Sequence, residues 1–277
     1  MGDWKPTKIR RIIETLESST GASLVMTDEG KAYAKFMGNP EGPQSLFCEA
    51  LGTMTAEYLG LPIFEHAFVN VTEPGLVEYA DGSKSSTGPA FVAREQEGTT
   101  WGGTEEELEA VVNPQVCAGL VVLDTWIRNC DRYRPDERET RCNYRNVFLS
   151  GTDAPRGKFR LVAMDHTHCL VCGWELTAKI GHIDSTKDGR LYGHFPAFRK
   201  YITEDAVRTY ATRLSAFRSS DAQQFLGQMP SLWQVQAPVK SAVVEFLSQR
   251  ALFVAENIHQ MLADEGFLEP ELPLKDG

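Results

Sequence analysis

Three polar residues at the ends of short apolar runs constrain this chain more than any other feature of its sequence. Asp131 follows a stretch predicted as an apolar helix. Asn146 leads into the apolar run 147–149, and Asp165 follows the apolar run 161–164. The set supplies one carboxylate that can accept a proton and, after it, two side-chain oxygens of the kind that Mg²⁺ prefers. This order of side chains along the sequence therefore indicates acid–base chemistry beside a metal ion.

The composition is that of an ordinary globular protein. The chain has 277 residues, of which 42% are apolar and 24% charged, enough for one large domain or two lobes. Its net charge of −10, without a Lys/Arg run, argues against direct binding of nucleic acid or an anionic membrane. Because no segment approaches 18 consecutive apolar residues and the N-terminus has no apolar signal core, we expect no membrane span and a cytoplasmic location.

Six cysteines are scattered along the chain, and most lie in apolar runs, as buried free thiols do. A zinc site could form from Cys169 and Cys172 together with His168, His182 and Cys142. A single Cys-x-x-Cys without a second spaced pair is weak evidence for zinc. The sequence therefore favours structural thiols.

The predicted secondary structure divides into a β-rich first third and a mainly helical remainder. The stretch 9–16 has helical spacing but also suits a strand. A hairpin is predicted where 24–26 and 32–36 flank an Asp/Gly turn. A helix over about 44–58 follows, then strands at 65–71 and 90–93 and a polar stretch at 98–106 that could join two lobes. Amphipathic helices are predicted at 203–217, 220–228 and 238–263.

Five motifs in this order resemble the HipA-like kinases, over roughly residues 9–170. They are Tyr-Ala-Lys-Phe-Met-Gly-Asn around Lys35, Leu-Phe-Cys-Glu-Ala-Leu-Gly around Glu49, Leu-Gly-Leu-Pro at 59–62, Gly-Pro-Ala-Phe at 88–91, and the stretch that carries Asp131, Asn146 and Asp165. The resemblance implies an α+β, bilobal protein-kinase-like fold. It implies a small β-rich N-lobe over 1–97 and a larger, mainly helical C-lobe over 98–277. It also favours a strand at 9–16.

The resemblance implies an ATP site between the lobes. Lys35 would hold the α- and β-phosphates, and Glu49 would hold Lys35. Small residues at 18–23 would let backbone N–H groups approach the phosphates. Glu95 and Gln96 would lie in the hinge, where the backbone hydrogen-bonds the adenine.

The resemblance also implies roles for the three residues introduced first. Asp131 would be the base that orients the acceptor hydroxyl and accepts its proton, whereas Asn146 and Asp165 would bind Mg²⁺. Arg132 could pair with Asp131 or with a phosphate. Asn129 could hold the shape of the loop, since Asn tolerates turn geometry.

Two departures from the family pattern affect this interpretation. Tyr133 stands where the family usually has His. The metal-binding Asn normally falls five residues after the base, but position 136 is Asp, and Asn146 follows a charged insertion of about ten residues over 134–145. Asn143 is a competing metal ligand.

The sequence therefore predicts a kinase that uses ATP and Mg²⁺ to phosphorylate a hydroxyl acceptor. The resemblance implies a serine or threonine of a protein, and a small-molecule or lipid hydroxyl is a further possibility. A nucleotide-binding pseudokinase is the alternative that Tyr133 and the insertion support. The third hypothesis, an acidic interaction protein that only shares the fold, does not explain why all five polar residues are present.

Overall fold

The computed structural model describes residues 4–134 and 142–270. An antiparallel sheet with strand order β1-β2-β3-β5-β4 forms the N-terminal part. Its strands are β1 (Ile9–Thr15), β2 (Ser23–Thr27), β3 (Gly30–Lys35), β4 (His66–Val71) and β5 (Gly88–Arg94). The predicted hairpin is confirmed, and 9–15 is a strand rather than a helix.

Helix α1 (Pro43–Tyr58) connects β3 to β4 and lies between the two halves of the molecule. It contacts β5 on one side and helices of the C-terminal half on the other. Because it is covered from both sides, every residue from 45 to 56 is buried, including Glu49. A carboxylate in such a place needs a partner.

The C-terminal half is mainly helical around a small sheet, β6-β7-β8. Its strands are β6 (Gly98–Thr100), β7 (Val147–Ser150) and β8 (Arg160–Ala163). Its helices are α2 (Glu105–Glu109), α3 (Val116–Ile127), α4 (Ile183–Thr186), α5 (Glu204–Ser215), α6 (Ser219–Gln228) and α7 (Ala237–Asp264). Short 3₁₀ helices lie at Tyr144–Asn146, Ala178–Gly181, Pro196–Tyr201 and Ser231–Trp233.

The fully buried helix α3 is the centre of this half, and α5 and α7 pack against it. Its continuous apolar surface explains the burial, because a helix that is apolar on all sides belongs inside a core. The predicted bilobal α+β fold is confirmed. The chain passes from the first sheet to the second over residues 95–97. Within the described residues, no helix is both long and apolar enough to cross a membrane.

Candidate active site

Lys35 lies at the centre of an ion-pair network that joins the two halves of the protein. Its Nζ donates hydrogen bonds to Glu49 Oε2 at 2.8 Å, Asp165 Oδ1 at 3.0 Å and Thr167 Oγ1 at 2.7 Å. Glu49 Oε2 also accepts from the Thr167 hydroxyl and from the backbone N–H of His166. The end of β3, the middle of α1 and the segment after β8 are thereby held together.

The charges of this network are mutually stabilised. Burial opposes the charged form of Lys35, but the carboxylates of Asp165 and Glu49 outweigh it and raise the pKa of the amine. Burial would by itself raise the pKa of Asp165, yet the nearby Lys35 ammonium lowers it below its usual value. We therefore expect Lys35 to be cationic and Asp165 anionic throughout the neutral pH range.

Asp131 and the two candidate asparagines lie next to each other. Asp131 Oδ2 accepts a hydrogen bond from Asn146 Nδ2 at 2.7 Å and a longer one from Asn143 Nδ2 at 3.3 Å. Asn146 is buried in the 3₁₀ turn just before β7, whereas Asn143 is half-buried. The structure therefore places the predicted base beside the predicted metal ligand, with the competing asparagine farther away.

The insertion before Asn146 is closed at its base. Tyr133 and Cys142 form an isolated antiparallel bridge, and the N–H of Asn143 donates to the Arg132 carbonyl at 2.9 Å. Because its two ends meet, the added length does not separate Asn146 from Asp131. Most of the charged residues of the insertion lie outside the described residues, over 135–141.

Asn129 shapes the loop that carries Asp131, as predicted. Helix α3 ends at Ile127, and the next residue, Arg128, has a left-handed backbone with φ of 52°. Asn129 Nδ2 then donates to Asp124 Oδ1, and Asn129 Oδ1 accepts from the backbone N–H of Asp131. The direction of Asp131 is thus set by the last turn of α3.

Arg132 does not pair with Asp131, and its side chain is not exposed where it could bind a phosphate. The two possibilities drawn from the sequence are therefore wrong. The Arg132 side chain is fully buried, and Nε donates to Asp124 Oδ2 at 2.7 Å. Nη1 donates to the carbonyls of both Asn146 and Met164. One guanidinium therefore fixes the backbone of Asn146 and of the residue that precedes Asp165.

A cavity of about 250 Å³ lies between the sheets beside Lys35 and Asp165. Tyr33 of β3 lines it from the first sheet and Phe148 of β7 from the second, and Leu16 and Ala22 line it from the loop between β1 and β2. The cavity is mostly apolar, and the charged groups in its lining, Glu49 and Asp165, both contact Lys35, as expected of a site for a base joined to phosphates. The loop 16–22 contributes Ser18 and Thr20 to the lining, in the place predicted for a phosphate-covering loop.

Glu95 and Gln96 lie in the connection between β5 and β6, but not among the residues that line this cavity. Glu95 donates its backbone N–H to the Lys31 carbonyl, and its carboxylate pairs with the Lys31 amine. Gln96 Oε1 accepts from the Ser150 hydroxyl at 2.8 Å. Both side chains thus bind protein groups, and their predicted adenine contacts stay predictions.

His166 is packed tightly against a glycine of α1. The imidazole is fully buried, and burial holds its pKa well below the usual value, so the ring is neutral. A Cβ added to Gly52 would overlap the Cβ of His166. Gly52 is therefore required for the segment 165–167 to reach Glu49 and Lys35.

We expect Gly52→Ala to destabilise the protein by about 1–3 kcal/mol, because overpacking outweighs the higher helix propensity of Ala. Gly227→Ala in α6 is the matched control, since nothing lies within 4 Å of a Cβ there. Urea unfolding should show a loss for Gly52→Ala and no loss for Gly227→Ala. Equal midpoints for the two variants would contradict the packing argument.

His168 forms an ion pair with Glu41, which precedes α1. The His168 Nε2 lies 3.1 Å from Glu41 Oε2, and both side chains are one-quarter exposed. The hydrogen bond to Glu41 raises the pKa of His168, and the same bond lowers the pKa of Glu41. The segment after Asp165 is thereby attached to the loop before α1.

This pair should make stability depend on pH. Folding raises the pKa of His168, so protonated His168 stabilises the folded protein. This contribution to the free energy of unfolding is complete below about pH 6.5 and is lost as the pH rises through the folded pKa. Glu41 contributes above its ordinary pKa of 4.5 and less as the pH falls. His168→Gln should cost at most about 1 kcal/mol at pH 6 and less at pH 8.5 in urea unfolding. His182→Gln is the control for removing an imidazole, because the pair of His182 with Asp184 is mostly exposed and such pairs contribute little.

Two cysteines are bonded rather than free, which corrects the prediction for them. Cys130 and Cys172 form a disulfide with Cα atoms 5.5 Å apart. The Cys169 thiol donates to the Cys48 carbonyl instead of binding a metal. In the described part of the chain, no cluster of three or more His, Cys, Asp or Glu side chains could hold a metal ion, so the zinc alternative has no support.

The comparisons with known proteins agree with this geometry. The family model described as HipA-like kinase matches residues 9–261. The chain belongs to the HipA-like kinase family. The family and the fold together identify a kinase-like phosphotransferase. No curated protein sequence matches the chain.

Two solved structures align with this HipA-like kinase. The Helicobacter pylori proinflammatory kinase CtkA has 12% sequence identity and a TM-score of 0.59, with 95% of this chain and 98% of CtkA covered. At this identity the likeness shows the fold alone. The MAP kinase LmaMPK10 from Leishmania major has 9% identity and a TM-score of 0.29 over 96% of this chain and 85% of that one, too low to support an argument.

The sequence analysis missed two side chains of this site. Thr167 links Lys35 to Glu49 through its hydroxyl, and its position two residues after Asp165 was the available signal. Asp124 anchors both Asn129 and Arg132. It is the single charged residue within α3, and an isolated charge in an apolar helix indicates a buried pair.

Proposed function

We propose that this chain is an ATP- and Mg²⁺-dependent kinase that transfers the γ-phosphate to a hydroxyl group of a protein serine or threonine. The observation that carries the proposal is the contact of Lys35 Nζ with both Glu49 at 2.8 Å and Asp165 at 3.0 Å. Lysine and helix glutamate must pair, and the metal-binding Asp must lie beside them, before a kinase can act. These groups line a mostly apolar cavity together, which supports a nucleotide with its phosphates at Lys35.

The oxygen ligands fit magnesium. Asp165 and Asn146 offer a carboxylate and an amide oxygen, and Mg²⁺ is usually held by one or two such groups together with substrate phosphates. The guanidinium of Arg132 binds the backbone at Asn146 and at Met164, which keeps the two ligands in one region. Bound there, the ion would neutralise charge on the phosphates during transfer.

The protein groups then have separate tasks. Lys35 stabilises negative charge on the phosphates because its ammonium is held by two carboxylates and stays protonated. Asp131 orients the acceptor hydroxyl and accepts its proton. Asn146, which donates to Asp131 at 2.7 Å, keeps that carboxylate in one rotamer. The chemistry is therefore mostly positioning and charge stabilisation.

The pseudokinase alternative is weakened by the closed insertion. Its two supports were the change to Tyr133 and the distance in sequence between Asp131 and Asn146. Tyr133 packs its ring against His194 and Phe195, with centroids 4.6 and 5.4 Å away. Tyr133 therefore does not separate Asp131 from Asn146, which remain directly hydrogen-bonded despite both departures.

The test is a transfer assay with γ-labelled ATP, with and without Mg²⁺. The acceptors are a mixed peptide library carrying Ser, Thr or Tyr, and separately a lipid and small-molecule extract. We expect Mg²⁺-dependent labelling of Ser or Thr peptides, lost in Asp165→Ala and retained in Asp205→Ala, an exposed control. ATP binding without transfer to any acceptor would favour the pseudokinase, and labelling confined to the extract would change the acceptor class.

A further inference from the structure

The two segments that carry Asp131 and Asp165 are joined by a covalent bond that the proposed reaction does not use. Cys130 directly precedes Asp131, and Cys172 lies in the segment that follows Asp165. They form a disulfide although 42 residues separate them in sequence, and their Cα separation of 5.5 Å is usual for such a bond. The family motifs assign no role to either cysteine.

The two cysteines differ in their exposure to solvent. Cys130 is buried, with 7% of its surface exposed, whereas Cys172 is half-buried. Cys172 lies between Val171, which is partly buried, and Gly173, which is exposed. A small oxidant therefore reaches Cys172 first.

We propose that Cys130 and Cys172 are a reversible thiol–disulfide modification site that controls the active site. The oxidant is a small-molecule disulfide. The Cys172 thiolate attacks one of its sulfurs, which forms a mixed disulfide and releases one small thiol. The Cys130 thiolate then attacks the Cys172 sulfur and releases the second small thiol. The protein loses two electrons and two protons, and the small disulfide gains both.

The bond holds a segment whose backbone is under strain. Leu170 and Cys172 have φ of 68° and 54°, in the left-handed region that side chains other than Gly rarely adopt. Such conformations persist only where the surroundings determine them. Apart from the disulfide, the backbone bond from Leu170 N–H to the Ile127 carbonyl at 2.7 Å ties this segment to the end of α3.

Oxidation therefore favours the assembled arrangement, and reduction releases the segment. Lys35 and Glu41 hold residues 165–168 in either state, through Asp165, Thr167 and His168, so the bond acts on residues 170–172 and on the loop of Asp131. Without it, residues 170–172 can relax their strained backbone and leave the loop of Asp131. The oxidised protein is consequently the more active form, an inference about rate that rests on the proposed function.

The experiment compares wild type after equilibration with oxidised glutathione and after dithiothreitol. We expect oxidation to raise kcat/KM by roughly three- to tenfold, if the untethered segment is assembled for only part of the time. Peptide mass mapping should show the 130–172 cross-link, and hydrogen exchange should show slower exchange of the Leu170 amide. Cys130→Ser and Cys172→Ser should both remain at the reduced level in either buffer, whereas Cys142→Ser, at an exposed free thiol, should respond like wild type.

The cross-link and the exchange rate of Leu170 test the modification site, whereas phosphate transfer tests the proposed function. A cross-link with slower Leu170 exchange but no transfer in any state would sink the kinase activity and leave the modification site standing. Two outcomes overturn the modification site itself. One is absence of the cross-link after oxidation. The other is a cross-link that changes neither the exchange rate nor kcat/KM.

Discussion

Asp131→Asn should reduce kcat/KM for phosphoryl transfer by about 10²- to 10⁴-fold, the contribution typical of a positioned base. The substitution keeps the size and shape of the side chain but removes the carboxylate that would accept the hydroxyl proton. Asn146 and Asn143 already supply amide donors to this position, and a rotated amide can still accept one of them. The loop should therefore keep its conformation while the chemistry is lost.

Three measurements make this prediction specific. Steady-state transfer should fall, whereas calorimetric affinity for ATP with Mg²⁺ and the unfolding midpoint should stay near wild type. Asp184→Asn, the same change at a largely exposed residue of α4, is the control for activity. Transfer within about tenfold of wild type would mean that Asp131 is not the base. A parallel loss of ATP affinity would mean that it acts in binding instead.

Local sequence patterns predicted most of the helices and strands, whereas the bilobal fold and the roles of the site residues came from the family resemblance of the motifs. Lys35 ends a strand and Glu49 lies in the following helix, and both placements follow from apolar periodicity and turn residues. The order of motifs then suggested that Asp165 would join them, and the structure brings all three together. Their catalytic roles stay predictions, since geometry alone does not show turnover.

The contacts that the sequence did not reveal are those made between distant segments. Arg132 was expected to face Asp131 or a phosphate, but burial beside Asp124 decided its partner. Cys130 and Cys172 meet because the end of α3 packs under the segment after β8. The direction of the Gln96 side chain depends on its hydrogen bond with Ser150 of β7. Such pairings are set by tertiary packing, which periodicity along one element does not encode.

Arg132→Met should cost about 3–5 kcal/mol of unfolding free energy, the largest stability effect that we expect from one substitution at this site. Arg132 and Asp124 are both completely buried and 2.7 Å apart. Removing the guanidinium leaves the carboxylate without its cation and leaves the carbonyls of Asn146 and Met164 without a donor. Urea unfolding monitored by tryptophan fluorescence measures the loss.

The loss of unfolding free energy in Arg132→Met should be larger at high pH than at low pH. Burial raises the pKa of Asp124, and Arg132 opposes that rise in the wild type. Without Arg132 the folded pKa rises further above the unfolded one, so the folded variant binds a proton that the unfolded chain releases. Its stability must then fall as the pH increases. Arg132→Met should be closer to wild type at pH 5 than at pH 8.

Two variants distinguish a buried pair from a general loss of charge. Lys200→Met removes a cation whose ion pair with Glu109 is exposed, and it should leave the unfolding midpoint unchanged. Asp124→Leu combined with Arg132→Met should cost less than the sum of the single changes, because no isolated charge stays buried. Additive losses would contradict a coupled pair.

Because the same guanidinium fixes the backbone at both proposed metal ligands, the residual folded Arg132→Met protein should also transfer phosphate poorly, even at pH 5 where its stability is best.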